Sequence, residues 1–332
     1  MGAVEVVGLT MRYGDVVAVH DLSFTAAAGQ VTCILGRNGA GKTSTIEALE
    51  GLRRPAGGQL SVLGLDPQRQ QRQLSARMGV MLQEVGIQPA ARVDELVRHA
   101  AALYADALDP ATLIDRVGLA GRERRTYRQL SGGEQRRLAL ALALVGQPEV
   151  AFLDEPTAGV DPEGRRLIRE IVTDLRAAGV AVLLSTHDLD EAERIADWVV
   201  IVDAGRLVAA GTVADLTAGG GSAPMLRFHA PAGLDVDALC NRLGGPGVAP
   251  TAEVLPGEYV VDATPTPTLI AAVTSWLAER NVTMADLSTD RHSLEDTFLR
   301  LTGHQADGTD PAAGRPRSRT GSLGFSGRRT IR

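Results

Sequence analysis

The stretch from Gln30 to Leu49, QVTCILGRNGAGKTSTIEAL, narrows the possible folds more than any other part of the chain. An apolar run comes first, followed by a glycine-rich loop and then by a helical pattern. The loop, Gly36 to Thr43, matches G-x-x-x-x-G-K-[ST] in full. A strand, such a loop and a helix in this order bind phosphate, because the glycines let backbone N–H groups close around the anion and the helix N-terminus faces it. The sequence therefore predicts a phosphate-binding loop in an α/β fold.

Lys42, inside this loop, is the only lysine in a chain with 34 basic residues. All the others are arginine, so the composition favours arginine wherever a positive charge alone is needed. A compact ammonium group and a planar guanidinium are not interchangeable. We therefore expect Lys42 to reach the β- and γ-phosphates of a nucleotide, and Thr43 to give its hydroxyl to Mg²⁺.

Two carboxylates follow a second apolar run, in AFLDEP from Ala151 to Pro156. Open α/β sheets bind their ligands at the carboxyl ends of the strands, which is where this pair is expected to lie. Asp154 is expected to hold Mg²⁺ through water, and Glu155 to polarise the attacking water. The alternative interpretation, that Asp-Glu-Pro simply ends a strand, does not explain two acids after so apolar a run.

Further apolar runs alternate with helical patterns, which is typical of a parallel sheet covered on both faces. An antiparallel hairpin is expected at the start of the chain, and glycines at 219–221 indicate a linker. The predicted organisation is an α/β nucleotide-binding domain at 1–219 with a helical subdomain at about 88–145, a small α+β domain at 220–303, and a disordered basic tail at 304–332.

Composition and charge exclude several classes of protein. Two cysteines rule out a disulfide framework and favour a reducing compartment. No signal peptide is recognisable, and the longest apolar run, Leu138–Val145, is too short to span a bilayer. Six arginines in 315–332 leave a net charge of −12 for residues 1–314, so specific nucleic-acid binding is not expected. We interpret the basic tail as a solvated terminus.

LSGGEQRR, from Leu130 to Arg137, followed by FLDEP, resembles the signature motif and Walker B element of ATP-binding cassette (ABC) ATPases. This resemblance covers Val4 to about Leu216 and implies the P-loop NTPase fold of that family: a parallel core sheet, an antiparallel β subdomain and a helical subdomain. Two positions depart from the family pattern, since Arg37 stands where proline is commonest and Val160 replaces a leucine. Neither side chain is needed for phosphate contacts.

The resemblance also implies a role for each matching residue. Tyr13 would stack on adenine, Gln83 would link Mg²⁺ and the water to a membrane partner, Asp161 would be the D-loop aspartate, and His187 would contact the γ-phosphate. The implied ATP-binding loop consists of Gly36, Arg37, Asn38, Gly39, Ala40, Gly41, Lys42, Thr43 and Ser44. The implied signature, which binds ATP held by a second cassette, consists of Ser131, Gly132, Gly133, Glu134 and Gln135.

With one cassette per chain, the resemblance implies a dimer with a second copy or a related ATPase, closing around two ATP molecules. The 89 residues from Lys42 to Ser131 leave no room for the long coiled coil of chromosome-maintenance cassettes. Translation ATPases of this family carry two cassettes per chain. A transporter motor remains, acting with an integral membrane permease at the cytoplasmic face of the membrane.

The segment SLEDTFLRLTG, from Ser293 to Gly303, resembles the ending of ABC-2 type exporter ATPases of the daunorubicin/doxorubicin-resistance type. It favours export of a drug or lipid-like substrate. An importer ATPase with a C-terminal regulatory domain, or a non-transport soluble ABC ATPase, stays open as an alternative.

Overall fold

The computed structural model describes residues 2–82, 86–218, 225–289 and 293–302. The strands are β1 (Val4–Tyr13), β2 (Val16–Ala26), β3 (Val31–Leu35), β4 (Gly57–Val62), β5 (Met78–Met81), β6 (Val150–Asp154), β7 (Ala181–Thr186), β8 (Trp198–Asp203), β9 (Arg206–Gly211), β10 (Leu226–His229), β11 (Thr251–Leu255), β12 (Glu258–Val261) and β13 (Asp286–Ser288). The helices are α1 (Lys42–Leu49), α2 (Gln71–Leu74), α3 (Val93–Ala101), α4 (Pro110–Arg116), α5 (Gly132–Leu144), α6 (Pro162–Ala177), α7 (Leu189–Ile195), α8 (Val213–Ala218), α9 (Val236–Arg242), α10 (Pro267–Glu279) and α11 (Leu294–Thr302).

A six-stranded sheet in the order β5-β6-β7-β3-β8-β9 lies at the centre of the N-terminal part. The first five strands are parallel, and β9 pairs antiparallel with β8 at the edge. Every residue of β3, β6 and β7 is buried. Such continuous burial explains why these strands are apolar runs rather than alternating patterns, since a parallel sheet is covered on both faces.

The two faces of this sheet carry separate cores. Cys33 and Leu153 point to the side covered by α5, α6 and α7, whereas Ile34 and Phe152 point to the side of α1 and the antiparallel sheet. Because side chains alternate along a strand, consecutive residues of one strand supply both cores. Each large aliphatic or aromatic side chain buried in this way contributes roughly 1.5–3 kcal/mol.

A second, antiparallel sheet in the order β2-β1-β4 covers the α1 side. The hairpin expected from the sequence is present, and β1 runs on to Tyr13, which brings that residue beside the phosphate loop. Strand β4, rich in glycine and polar residues, was not indicated by the sequence pattern, and neither was the short strand β5. Both are defined by their strand partners rather than by their own periodicity.

Helices α3, α4 and α5 form the helical block between β5 and β6. Helix α3 packs against α4 and α5, and its buried Val93 and Val97 join the same core as the central sheet. Asp109 caps α4 by accepting a hydrogen bond from Thr112 N at 2.9 Å, and proline stands at the first position of the helix.

The C-terminal module, 225–289, has the order βαββαβ and a four-stranded antiparallel sheet, β11-β12-β10-β13. This is the ferredoxin-like arrangement. Its core is separate from the other two and centres on Trp276 and on the stacked rings of Phe228 and Tyr259. The Tyr259 hydroxyl donates to the carbonyl of Pro231 at 2.9 Å, so this buried phenol is satisfied.

Helix α11 leaves the module and packs on the N-terminal part instead. Its Leu294 and Phe298 belong to the core beneath α7, and Thr297 donates its hydroxyl to the carbonyl of Leu216 at 3.3 Å. The sequence pattern assigned this amphipathic helix to the C-terminal domain without showing which surface its apolar side covers.

No helix in the part of the chain that the structure describes is long and apolar enough to cross a membrane. The predicted linker glycines at 219–221 and the predicted tail at 304–332 lie outside the described residues.

Candidate active site

The phosphate loop joins the buried end of β3 to the start of α1. Gly41 has φ +99°, and a Cβ added there would lie 2.6 Å from the carbonyl oxygen of Ala18. A side chain at Gly36 would likewise meet the carbonyl oxygen of Val202. Close backbone packing therefore requires glycine at both positions, and the positive φ of Gly41 favours glycine there as well. The loop packs closely against the backbone of β2 and β8. Arg37, Asn38 and Gly39 at its tip are exposed.

The Lys42 side chain is buried beneath this loop. Its Nζ donates to the carbonyl oxygens of Gly36 at 2.8 Å and Arg37 at 3.2 Å, and it lies 3.6 Å from the Glu155 carboxylate. Three acceptors thus surround one nitrogen that carries three N–H donors. A planar guanidinium, with donors spread over three nitrogens, does not match that arrangement.

Asp154 and Glu155 stand at the carboxyl end of β6, as expected, and the neighbouring strand β7 orients both. Ser185, opposite Asp154 in the register, donates its hydroxyl to the Asp154 carboxylate. The Ser185 Oγ also accepts a hydrogen bond from the backbone N–H of Glu155 at 3.1 Å. Ser185 was missed as a site residue in the sequence, although its place at the end of an apolar run was the signal that could have found it.

Glu155 has φ +51°, a left-handed conformation that is costly for a residue with a side chain. Such strain persists where surrounding contacts enforce it, and it concentrates at functional sites. Here the turn directs the Glu155 side chain towards Lys42 and His187. The carboxylate lies between Lys42 and His187, whose Nδ1 is 2.9 Å from Oε1 and 2.7 Å from Oε2. Lys42 precedes Glu155 by more than a hundred positions and His187 follows it by about thirty, so residues distant in the sequence meet at one carboxylate.

Tyr13 lies at the edge of the loop, where its hydroxyl hydrogen-bonds to Ser44 Oγ at 3.0 Å. The guanidinium of Arg53 lies 5.4 Å from the centre of the Tyr13 ring, within cation–π range. Arg53 was not singled out in the sequence. Its position adds a positive charge beside the ring that is predicted to stack on adenine.

The signature residues form the start of α5. Ser131 caps the helix by accepting from Glu134 N at 3.2 Å, and the Glu134 carboxylate accepts from Ser131 N at 2.8 Å in return. A hydrogen bond from Arg122, followed by that from the Ser131 backbone, lowers the pKa of Glu134, which keeps this cap charged. Ser131 and Gly132 are exposed, while the Gln135 side chain points inward and donates to the carbonyl of Tyr127.

Within the described residues, no hydrogen bond or ion pair joins 131–135 to the phosphate loop. The structure therefore does not bring the two halves of the predicted ATP site together in one chain. Asp161 caps α6 by accepting from Gly164 N at 3.1 Å. Gln83 lies outside the described residues, and Leu82, just before it, accepts from Arg136.

Glu50, at the carboxyl end of α1, was not noticed in the sequence. It is 1% exposed, and neither carboxylate oxygen has a hydrogen-bond partner among the described residues. Burial first, then the nearby charges of Asp154 and Glu47, raise its pKa to about 8. This carboxyl is therefore largely protonated at neutral pH.

Comparison with known proteins places this geometry in a family. The ABC transporter family model matches residues 19–158. A daunorubicin resistance ATP-binding protein of Streptomyces coeruleorubidus is 36% identical over 315 residues, covering 91% of this chain and 96% of that protein. A Nod factor export ATP-binding protein of Cupriavidus pinatubonensis is 35% identical, covering 89% of each chain. The chain belongs to the ABC transporter ATP-binding proteins.

Solved structures support the same assignment. An ATP-binding subunit of an ABC transporter superposes with a TM-score of 0.61 at 28% identity, over 66% of this chain and 93% of its own. An ATP-binding cassette in a dimeric post-hydrolysis state with ADP and Pi shares the fold, with a TM-score of 0.58 at 20% identity, over 63% of this chain and 98% of its own. The predicted family and fold class are confirmed, and the chain is an ATP-binding and ATP-hydrolysing transporter subunit.

Proposed function

We propose that Lys42, Glu155 and His187 form the hydrolytic half of the site, with each residue acting through the contacts described above. Lys42, released from Glu155 by the incoming phosphates, balances charge on the β- and γ-phosphates of the substrate ATP. The freed Glu155 carboxylate orients and polarises the attacking water. His187, held beside Glu155, contacts the γ-phosphate. The meeting of these three side chains at one sheet edge is the observation that carries the proposal.

We propose Mg²⁺ as the metal of this site. The Thr43 hydroxyl has no hydrogen-bond partner within the described residues, and only one carboxylate oxygen of Asp154 takes the Ser185 hydroxyl. Both supply the hard oxygen atoms that Mg²⁺ prefers, and Gln83 is the third proposed ligand. No cluster of three or more His, Cys, Asp or Glu in the described ranges could hold a metal alone, which fits a cation bound mainly through substrate phosphates. When bound, Mg²⁺ would neutralise charge on the phosphate oxygens.

We propose that two cassettes close around two ATP molecules, with Ser131 and Gly133 of one chain completing the site of the other. The exposed Ser131 and the absence of a contact to its own phosphate loop support this. The arrangement also implies residue-level roles for Tyr13 on adenine and Asp161 between the cassettes. ATP binding and hydrolysis would then switch the pair between closed and open states.

We propose that this chain drives export of a drug or lipid-like substrate through a separate membrane permease, at the cytoplasmic face of the membrane. The names of the relatives, daunorubicin resistance and Nod factor export, favour export over import. The two relatives named above align with about nine-tenths of this chain. Their similarity therefore extends beyond residues 19–158 and into the C-terminal module.

Copurification tests the transport proposal. The chain, carrying an affinity tag, would be expressed with the protein encoded by the adjacent reading frame. We expect that protein to carry about six membrane spans and to be retained with the tagged chain in detergent. ATP-dependent accumulation of a fluorescent anthracycline in inside-out vesicles then distinguishes export from import. A neighbour without membrane spans, or a neighbour that is not retained with the tagged chain, would favour the soluble alternative.

A further inference from the structure

Arg165, in the first turn of α6, links two loops that approach Glu155 from different strands. Its Nε donates to the carbonyl oxygen of Val160 at 3.0 Å, in the turn that follows β6. Its Nη1 donates to the Asp188 carboxylate at 3.1 Å, directly after His187. One planar side chain therefore links the predicted D-loop to the loop that carries His187.

Each end of this link is held in turn. Asp188 caps α7 by accepting from Glu191 N at 3.1 Å, and its own N–H donates to Thr186 Oγ1 at 2.9 Å. These bonds restrict the backbone on both sides of His187. At the other end, a Cβ placed on Gly133 would lie 3.6 Å from the Cα of Val160, so the D-loop packs directly against the signature helix.

A second ion pair between α6 and α7 is less exposed to solvent than the Arg165–Asp188 pair. Arg169, one turn after Arg165, donates to Glu191 at 3.0 Å, and that carboxylate is 4% exposed with its other oxygen unpartnered within the described ranges. Arg165 and Asp188 are instead 37% and 32% exposed. Pairs this accessible contribute about 0–1 kcal/mol to stability. The Arg165 link is therefore expected to affect geometry more than folding.

We propose that Arg165 is a positioning residue that couples the signature and D-loop of one cassette to His187 of the same cassette. In the dimer, the signature contacts ATP held by the partner, so the path Gly133, Val160, Arg165, Asp188 joins the two ATP sites of the sandwich. Any shift of the D-loop at the interface moves Asp188 and with it the histidine beside Glu155. This inference rests on the proposed roles of the signature and of His187.

The test compares steady-state ATP hydrolysis by Arg165→Gln with that of a matched control, Arg166→Gln. Arg166 is the next residue, is exposed, and within the described ranges forms an ion pair only with Glu170 on its own helix. We expect Arg165→Gln to lower kcat about tenfold while the KM for ATP and the melting temperature change little, since contacts to bound ATP are untouched. Arg166→Gln should leave all three unchanged. A kcat within twofold of wild type in Arg165→Gln would overturn the inference.

A double-mutant cycle with Asp188→Asn separates coupling from simple damage. Asparagine keeps the helix cap, so this variant weakens only the ion pair. If the two residues act as one link, the double variant has the same kcat as Arg165→Gln alone, whereas multiplied losses mean independent effects and overturn the inference. Should Arg165→Gln fail to fold, Arg165→Lys decides: lysine lacks the two separate nitrogens through which Arg165 bonds Val160 and Asp188, so a wild-type kcat there counts against the link.

The variant His187→Ala separates the proposed role of His187 from the proposed role of Arg165. If that variant keeps wild-type turnover, the proposed role of His187 is wrong. If His187→Ala loses turnover while Arg165→Gln does not, only the role of Arg165 is wrong.

Discussion

At the scale of single residues, the site is defined by charges held at short distances. Lys42 is surrounded by two carbonyl oxygens and the Glu155 carboxylate, which explains why a chain otherwise rich in arginine carries lysine here. In the proposed mechanism, the ammonium group also exchanges these acceptors for phosphate oxygens. A point charge on a flexible stem does so more readily than a rigid guanidinium.

Lys42→Arg should lower kcat/KM for ATP about tenfold or more, because the larger planar group cannot occupy the pocket beneath the loop. The measurement is steady-state ATPase activity together with binding of a fluorescent ATP analogue. Arg54→Lys, an exposed substitution of the same two residue types in reverse, should leave activity unchanged. Wild-type turnover in Lys42→Arg would show that only positive charge is needed.

Glu50 makes stability depend on pH. Its pKa is about 8 in the folded chain against an ordinary 4.5, so the folded state holds a proton that the unfolded chain releases. Between these values the folded state binds more protons, and its stability falls as the pH rises. Glu50→Gln removes this loss: we expect it to be more stable than wild type by roughly 2–5 kcal/mol near pH 8.5 and about equal near pH 4.5.

Thermal unfolding of both proteins at the two pH values measures this difference. Glu170→Gln, which alters an exposed carboxylate, serves as the control and should change stability little at either pH. An equal effect of Glu50→Gln at both pH values would mean that the carboxyl is not titrating between them.

At the scale of elements, α11 ties the end of the chain to the ATPase core. Phe298 is 7% exposed in the core beneath α7, and it also lines a cleft of about 240 Å³ with Gly36, Asn38 and His187. Arg227 of β10 pairs with Asp296 of the same helix at 2.8 Å. The C-terminal module is thereby connected to the helix that closes one side of the phosphate loop.

Phe298→Ala should destabilise the chain by about 3–5 kcal/mol, the usual cost of a cavity left by a buried phenylalanine. The neighbouring Leu299 is 41% exposed, so Leu299→Ala should cost well under half as much. Chemical denaturation of both variants provides the comparison. Equal losses would mean that α11 does not pack on the core in solution.

At the scale of the whole molecule, no hydrogen bond or ion pair within the described residues joins the two halves of the proposed ATP site. Lys42 and Glu155 lie at the edge of the central sheet, whereas Ser131 is exposed at the start of α5. In the proposed sandwich a second chain supplies the signature, so the ATP-bound species is expected to have the mass of a dimer.

Glu155→Gln should bind ATP without hydrolysing it and so accumulate as a dimer, seen by gel filtration with ATP and light scattering. Adding Ser131→Ala to that variant should restore the monomer, because the signature hydroxyl then no longer contacts the ATP of the partner. Ser131→Ala alone should lower stability by about 1 kcal/mol through loss of the helix cap, which the monomer tolerates. A monomeric Glu155→Gln with ATP would contradict the sandwich.

Much of the site was predictable from the sequence because its parts are locally encoded. The glycines and Lys42 act through consecutive backbone groups, and the acids follow an apolar run. Arg165 could not be found this way, and the one signal for Ser185 was its place at the end of an apolar run. Ser185 matters because β6 and β7 are neighbours in register, and Arg165 because α6 passes close to Asp188. The sequence pattern did not predict β4 and β5, because pairing with a neighbouring strand, rather than a periodic apolar pattern of their own, defines them.

The sequence by itself determined the family, the phosphate loop and the identity of the acids, since these depend on residue types at fixed short spacings. Tertiary structure alone decided that Glu155 lies between Lys42 and His187 and that α11 packs beside the phosphate loop. Both depend on the lateral order of strands and on which apolar surfaces meet. That order depends on the burial of apolar surfaces from distant parts of the chain, so it cannot be deduced from the spacing of neighbouring residues.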